Sequence, residues 1–311
     1  MPPTMSSLSE KILRRESGLR FYSFAPPKIS TEAERLLVIS KNQTERINNL
    51  NIDGLILYDI QDESHRTKEE RIFPYVPTIA PEQYAKQYLK EIQAPRIIYK
   101  SIANHTPEMF DDWMANNQDL EHVVFVGASA SSQIEDGHIT LADACKLRRE
   151  FYNHLLLGGV TIPERHAKKG DEHHRLQRKK EDGCSFFVSQ CVYHIHDTKN
   201  LLSDYYYDSL DNGYDMKPII LTLSPCGSIK TLEFMKWLGI EVPKWLYNDL
   251  KHAHDILQKS IDMAVVQAFV RTDCFALLSR SQRHSRSITA SLPAIRGPAR
   301  QSRTATTAKI G

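Results

Sequence analysis

The segment Pro163-Glu164-Arg165-His166 places a carboxylate, a guanidinium and an imidazole directly after a continuous apolar run. That run, residues 155–162, does not alternate between apolar and polar positions, which is typical of a parallel strand buried on both faces. In parallel α/β folds, the carboxyl ends of the strands form the functional face. Glu164 and His166 are therefore candidate site residues.

A second candidate group lies in the polar segment EHHRLQRKK, residues 172–180, whose only large apolar residue is leucine. Glu172, Arg175 and Lys179 share one face of the predicted helix at i, i+3 and i+7, and Arg178 lies beside them. Cations near strand ends can bind an anionic group such as a phosphate or a carboxylate. A solvated helix face is the alternative interpretation.

Histidines suggest a third kind of chemistry. His194 and His196 have a His-x-His spacing that occurs in metal sites, and the pair His173-His174 is near in sequence. No further set of carboxylates and histidines falls at a recognisable spacing, so no metal site is assigned. A metal-dependent hydrolase is retained as the weaker alternative function.

Seven strand patterns, each followed by a helix pattern, must position these residues. They predict an α/β fold, a (βα)8 TIM-type barrel in which the eighth strand is not evident; residues 265–270 are a candidate for it. No Gly-x-Gly-x-x-Gly opens a helix, which argues against a dinucleotide-binding Rossmann half. The strands are predicted at 20–24, 54–58, 96–99, 122–126, 155–162, 184–190 and 218–223 and lead to Ser23, Asp59, Lys100, Gly127, Glu164, Gln190 and Thr222.

The amino-acid composition limits the classes of protein to which the chain can belong. A chain of 311 residues with 41% hydrophobic and 25% charged residues is typical of a soluble globular protein. No apolar run is long enough for a membrane span, the first residues lack the apolar core of a secretory signal, and the five cysteines form no Cys-x-x-Cys pair. We therefore expect a cytoplasmic protein without a membrane partner.

The charge distribution separates the two ends of the chain. From residue 274 onward there are six arginines, one lysine and no acidic residue. We expect an N-terminal extension over 1–18, a barrel over 19–270 and a disordered basic tail over 271–311. The tail has no interleaved aromatic residues for base stacking, so no nucleic-acid partner is expected.

Five segments over roughly residues 19–257 resemble the methylenetetrahydrofolate reductase family. They are FYSFAPPK at 21–28, Ala94-Pro95 with Thr106-Pro107-Glu108, His122-Val123-Val124 leading to Gly127, Pro163-Glu164-Arg165-His166, and GCSFFVSQ at 183–190. The resemblance implies a (βα)8 barrel that reduces 5,10-methylenetetrahydrofolate to 5-methyltetrahydrofolate, with hydride drawn from NAD(P)H through FAD.

The resemblance also implies roles for individual residues. Gln190 matches the glutamine that binds the pterin. Glu164, which follows the fifth strand, is a candidate substrate-binding residue at the same end of the barrel. The positions that match the flavin-lining side of the family site are His166, Glu172, Arg175, Arg178, Lys179 and Gly127.

Two departures from the family pattern change the expected chemistry. Ser23 stands where the family has a glutamate that protonates the folate nitrogen, and Val126-Gly127-Ala128 stands in place of arginine-glycine-aspartate. A serine hydroxyl has no pKa suited to general-acid catalysis, so Asp59 at the end of the second strand is the candidate replacement acid. The departures favour a divergent branch that passes hydride directly from the nicotinamide to the folate without flavin.

The leading hypothesis is thus an oxidoreductase acting on a reduced folate in one-carbon and methionine metabolism. The alternative, from another class, is a non-catalytic barrel that binds a folate or a partner. The loss of the family's acid favours this alternative. The sequence assigns no oligomeric state.

Overall fold

The computed structural model describes residues 7–64, 67–127, 137–279 and 288–291, and it describes side chains up to residue 267. Seven consecutive parallel strands form a strongly curved sheet, and a short eighth strand pairs in parallel with both β7 and β1 and closes it. This order agrees with the predicted TIM-type α/β fold. The strands are β1 Arg20–Phe24, β2 Gly54–Leu57, β3 Arg96–Ser101, β4 His122–Val126, β5 Leu156–Thr161, β6 Phe186–Cys191, β7 Ile219–Thr222 and β8 Ile288–Ser291.

Helices connect the strands and cover the outside of the sheet. Several begin where the sequence predicts: Pro81 occupies the first turn of α3, and Thr106 caps α4 by accepting a hydrogen bond from the backbone N–H of Met109 at 3.3 Å. The helices are α1 Leu8–Leu13, α2 Ala33–Asn48, α3 Pro81–Tyr88, α4 Pro107–Ala115, α5 Leu141–Phe151, α6 Pro163–Lys169, α7 Glu172–Glu181, α8 Ile195–Asp211, α9 Ile229–Trp237, α10 Lys244–Lys251 and α11 Ile256–Ser279.

The inside of the barrel is apolar toward the amino ends of the strands and polar toward their carboxyl ends. Alternate residues of neighbouring strands form an apolar cluster that includes Phe21, Ile56, Ile97 and Ile220. Two residues further along the same strands, on the same face, stand Ser23, Tyr58, Tyr99 and Thr222. The carboxyl end of the barrel therefore carries hydroxyl groups above an apolar floor.

Helix α1 closes the opposite end. Leu8 and Ile12 are buried in the barrel cluster, Ser9 Oγ lies 2.9 Å from His122 Nε2, and Lys11 forms an ion pair with Asp53 at 2.7 Å. This part of the segment predicted as an N-terminal extension thus packs into the same core as the strands.

Strand β5 is buried on both faces, as its apolar run predicts. A Cβ on Gly158 would lie 2.5 Å from the ring of Phe186 inside the barrel. A Cβ on Gly159 would lie 3.3 Å from Lys179 Cδ and 3.2 Å from Cys184 Sγ on the outside. The two glycines therefore make room for a large residue on each side of the sheet.

Replacing Gly158 by alanine should destabilise the protein, because neither the Phe186 ring nor Val124, 2.9 Å from the new Cβ, can move away freely. We expect a loss of about 1–3 kcal/mol in the free energy of unfolding, the usual cost of overpacking a core. Denaturant unfolding measures it. Gly227→Ala is the matched control, since a Cβ there has no neighbour within 4 Å; equal stability of both variants would contradict this account of β5.

Three features of the structure differ from the sequence-based expectations. Residues 265–270 lie inside helix α11, so they do not provide the eighth strand; β8 comes from the segment predicted as a disordered tail, and α11 also extends into that segment. The helical pattern of residues 245–268, which reads as one helix in the sequence, is divided into α10 and α11. Pro163 to Lys169 form a short helix, so Glu164 lies in its first turn and not at a strand end.

No helix in the described part of the chain combines the length and the apolar character needed to span a membrane.

Candidate functional site

The polar layer at the carboxyl end of the barrel is built around Tyr58. Its buried hydroxyl lies near the hydroxyls of Ser23 and Thr222; burial raises the pKa of the phenol, and the interactions with these two hydroxyls act in the opposite direction. Its ring packs edge-on against Tyr99 at a centroid distance of 4.9 Å. Ser23, a predicted site residue, thus lies at the mouth, the carboxyl end of the barrel, together with Tyr58 and with Thr222, whose hydroxyl donates to the backbone oxygen of Ser189 at 2.8 Å.

Asp59 follows Tyr58 and lies at the rim of this layer. Oδ1 accepts a hydrogen bond from Gln61 Nε2 at 2.7 Å, and Oδ2 accepts one from the backbone N–H of Ser101 at 2.8 Å. Burial raises the pKa of this carboxyl above its ordinary value, although the N–H of Ser101 and the charge of Lys100 act in the opposite direction. This is the direction that a proton donor at the mouth requires.

The long connection between β2 and α3 reaches across the carboxyl ends of the neighbouring strands. Trp237 in α9, which follows β7, donates its indole N–H to the backbone oxygen of Glu69 at 3.0 Å. The guanidinium of Arg71 lies 5.3–5.5 Å from the ring centroids of Tyr75, Phe234 and Trp237. β8 and β1 lie between β7 and β2, so this connection passes over the carboxyl ends of both strands. No sequence pattern predicts these contacts.

Gln190 lies near the end of β6 and is half-buried. Its Nε2 donates to the backbone oxygen of Leu238 at 3.1 Å, whereas its buried Oε1 has no hydrogen-bond partner. Because the first contact fixes the orientation of the amide, the acceptor oxygen is available for a donor from outside the protein. This geometry is compatible with the predicted contact to a pterin N–H.

Glu164 is only 3% exposed, and its Oε2 has no hydrogen-bond partner. Burial raises its pKa to about 7, and the nearby carboxylates of Asp197 and Glu241 act in the same direction. The backbone N–H groups of Glu164 and Glu241 act in the opposite direction. No local sequence pattern marks Asp197 and Glu241 as neighbours of Glu164, because they belong to other βα units.

Three of the residues predicted to line a flavin are occupied by contacts within the protein. His166 Nε2 lies 2.9 Å from Asp204 Oδ2. Glu172 is fully buried; its Oε1 accepts hydrogen bonds from Thr161 Oγ1 and from the N–H of residue 162, and its Oε2 pairs with Arg165 at 3.0 Å. Lys179 donates from Nζ to the backbone oxygen of residue 160, which holds its ammonium against the outside of β5.

The remaining predicted flavin residues do not complete a phosphate site. Arg178 is exposed and Arg175 is partly buried on α7, while Lys179 of the same helix is directed at the sheet. Gly127 is followed by residues outside the described part of the chain, among them Ala128, and a Cβ on Gly127 would meet only Leu141 at ordinary contact distance, 3.5 Å. Lys179 is therefore not a free donor for the pyrophosphate of FAD, which needs several free donors converging on one point.

The predicted pair His194 and His196 does not converge either. Their ring centroids lie 6.3 Å apart, and His196 is exposed. His194 instead caps α8 and contacts Asp197 at 2.9 Å. A separate histidine group, His166, His173 and Asp204, lies between α6, α7 and α8.

The fold and the polar layer place the chain in a class of proteins: parallel α/β barrels of the TIM type with polar side chains at the carboxyl ends of the strands. No family model and no curated protein matches the chain. Among solved structures, an uncharacterized protein from Clostridium thermocellum that binds two copies of 5-methyl-5,6,7,8-tetrahydrofolic acid is 41% identical, with a TM-score of 0.77 over 94% of each chain. At this identity and coverage, the chain belongs to the family of that Clostridium thermocellum protein.

Other solved structures are more distant. A 2,3-dimethylmalate lyase of the PEP mutase/isocitrate lyase superfamily is 10% identical, with 87% of this chain and 99% of that chain covered and a TM-score of 0.45. A GH113 β-1,4-mannanase is 16% identical, with 88% and 87% covered and a TM-score of 0.44. Structural similarity at this level does not bear on the function of the site.

Proposed function

We propose that this chain binds a reduced folate at the carboxyl end of its barrel. The observation that carries the proposal is the 41%-identical relative that binds 5-methyl-5,6,7,8-tetrahydrofolic acid. The resemblance of five segments to a folate-dependent reductase family, quoted above, supports the same ligand class independently of that relative.

The mouth offers the chemistry that a pterin ring needs. A reduced pterin presents N–H donors along one edge, and Gln190 Oε1 is a buried acceptor without a partner. The hydroxyl of Tyr58 is likewise buried and without a partner. Buried polar groups of this kind cost free energy until they are paired, so a ligand that pairs them gains affinity and specificity.

Calorimetric titration with 5-methyltetrahydrofolate tests the proposal. We expect saturable binding with a stoichiometry between one and two per chain, and an increase in thermal stability with ligand concentration, because the ligand binds only the folded state. p-Aminobenzoylglutamate, which lacks the pterin, is the control ligand and should bind at least about tenfold more weakly, the effect of losing roughly one buried hydrogen bond. The absence of a titratable signal at millimolar 5-methyltetrahydrofolate would refute the proposal.

Reduction of 5,10-methylenetetrahydrofolate with NAD(P)H is the second candidate function. Asp59 favours it, because burial raises the pKa of a carboxyl placed at the mouth. In this reaction a proton opens the methylene bridge to an iminium, and hydride from the nicotinamide adds to its carbon, giving the methyl product and NAD(P)+. Because Glu172 and Lys179, which match the flavin side, are held by contacts within the protein, this candidate is proposed with direct hydride transfer and without FAD.

A further inference from the structure

Two segments, one following β6 and one following β7 and α9, bring metal-ligating groups together. Potential ligand atoms of His194, Asp197 and Glu241 all lie within 4.8 Å of one another. Opposite ligands of an octahedral ion with 2.1 Å bonds are about 4.2 Å apart, so only a small adjustment separates this arrangement from a coordination shell. The 2.9 Å separation between His194 Nδ1 and Asp197 Oδ2 is close to that of neighbouring ligands, about 3.0 Å.

Glu164 supplies a separate observation that points to a ligand. It is 97% buried, its Oε2 has no hydrogen-bond partner, and its carboxylate lies against the backbone N–H of Glu241 and within electrostatic range of Asp197. A buried carboxylate facing two others is costly unless a cation neutralises it. Glu164 is therefore a buried acceptor without a hydrogen-bond partner that lies near the group, and a fourth ligand needs these properties.

We propose that Glu164, His194, Asp197 and Glu241 bind one divalent transition-metal ion. One imidazole nitrogen with carboxylate oxygens suits Zn2+, Mn2+, Fe2+ or Co2+; the imidazole disfavours Mg2+ and Ca2+, which prefer all-oxygen shells. The ion joins the β5–α6 junction, the start of α8 and the connection between α9 and α10. The same connection follows Leu238, the acceptor of Gln190, so the ion stabilises the wall of the mouth against which Gln190 is oriented.

Titration of the chelator-treated full chain with Co2+ alone, without folate, tests the site through the visible absorption of the bound ion. We expect one ion per chain with imidazole-carboxylate coordination. Glu241→Gln changes an exposed side chain, so its folding is not at risk, and it should weaken Co2+ binding about tenfold or more. Glu164→Gln with Asp197→Asn should weaken it by roughly 100-fold or more, since changes outside the ligand shell already cost about 10- to 100-fold.

Two control variants separate this site from other histidines. His196→Ala removes the neighbouring exposed imidazole, and His173→Ala removes a member of the group between α6 and α8. Both should keep the Co2+ stoichiometry and affinity of the unmodified chain. Loss of Co2+ in His173→Ala, undiminished binding in Glu241→Gln, or no Co2+ binding by the unmodified chain at millimolar concentration would each overturn the proposal.

Discussion

Gln190→Ala should weaken the binding of 5-methyltetrahydrofolate roughly 5- to 150-fold. The physical reason is the unpartnered Oε1: its removal leaves a buried pterin N–H without an acceptor, which costs about 1–3 kcal/mol. Calorimetry at fixed salt concentration gives the affinity directly. Stability should change little, because the free protein loses one hydrogen bond to Leu238 and also an unsatisfied acceptor.

Gln267→Ala is the matched control for this variant. Gln267 is also a buried glutamine whose Nε2 donates to a backbone oxygen, that of Tyr193 at 3.0 Å, but it lies on α11 and not on a strand of the barrel. Its removal should leave folate affinity unchanged. If both variants bind folate as tightly as the unmodified chain, Gln190 does not contact the pterin.

Asp59→Asn should reduce the rate of NAD(P)H-dependent reduction of 5,10-methylenetetrahydrofolate by about 100-fold or more, the scale of general-acid catalysis. Asparagine preserves the size of the side chain and can still accept the N–H of Ser101, but it has no proton to give. Since burial raises the pKa of Asp59, the protonated form persists to higher pH than in an exposed aspartate. In the unmodified chain kcat/KM should fall as the pH rises through that pKa, and Asp59→Asn should lose this dependence.

Asp53 provides the control at the opposite end of the same strand. It also accepts one backbone N–H, from Arg20 at 2.8 Å, and one side-chain donor, Lys11 at 2.7 Å, but it faces the closed end of the barrel. Asp53→Asn should keep full turnover. Full turnover in Asp59→Asn would mean that the proton comes from another group.

A further pair of variants distinguishes a reductase from a binding protein. Ser23→Ala should change turnover little if Asp59 is the acid. If the unmodified chain binds folate without reducing it and Ser23→Glu gains turnover, the barrel is a binding protein in which serine stands where the similar reductases have their acid.

The amino-acid sequence by itself determined the alternation of strands and helices and the parallel barrel. The apolar run before Pro163 can only be buried on both faces. The Thr106 cap and a proline in the first turn, Pro81, fix helix starts through local backbone chemistry. These signals act over a few residues, so they can be read without knowing the tertiary structure. They also placed Ser23, Asp59 and Gln190 at the strand ends that form the mouth.

The tertiary structure alone decided which of the polar side chains are available to a ligand. Glu172 and Lys179 share a helix face in sequence, yet contacts to β5 and the segment after it occupy both. His194 and Glu241 meet although 47 positions (241 − 194) separate them along the chain. Such encounters depend on how successive βα units pack side by side, and no local pattern records that geometry.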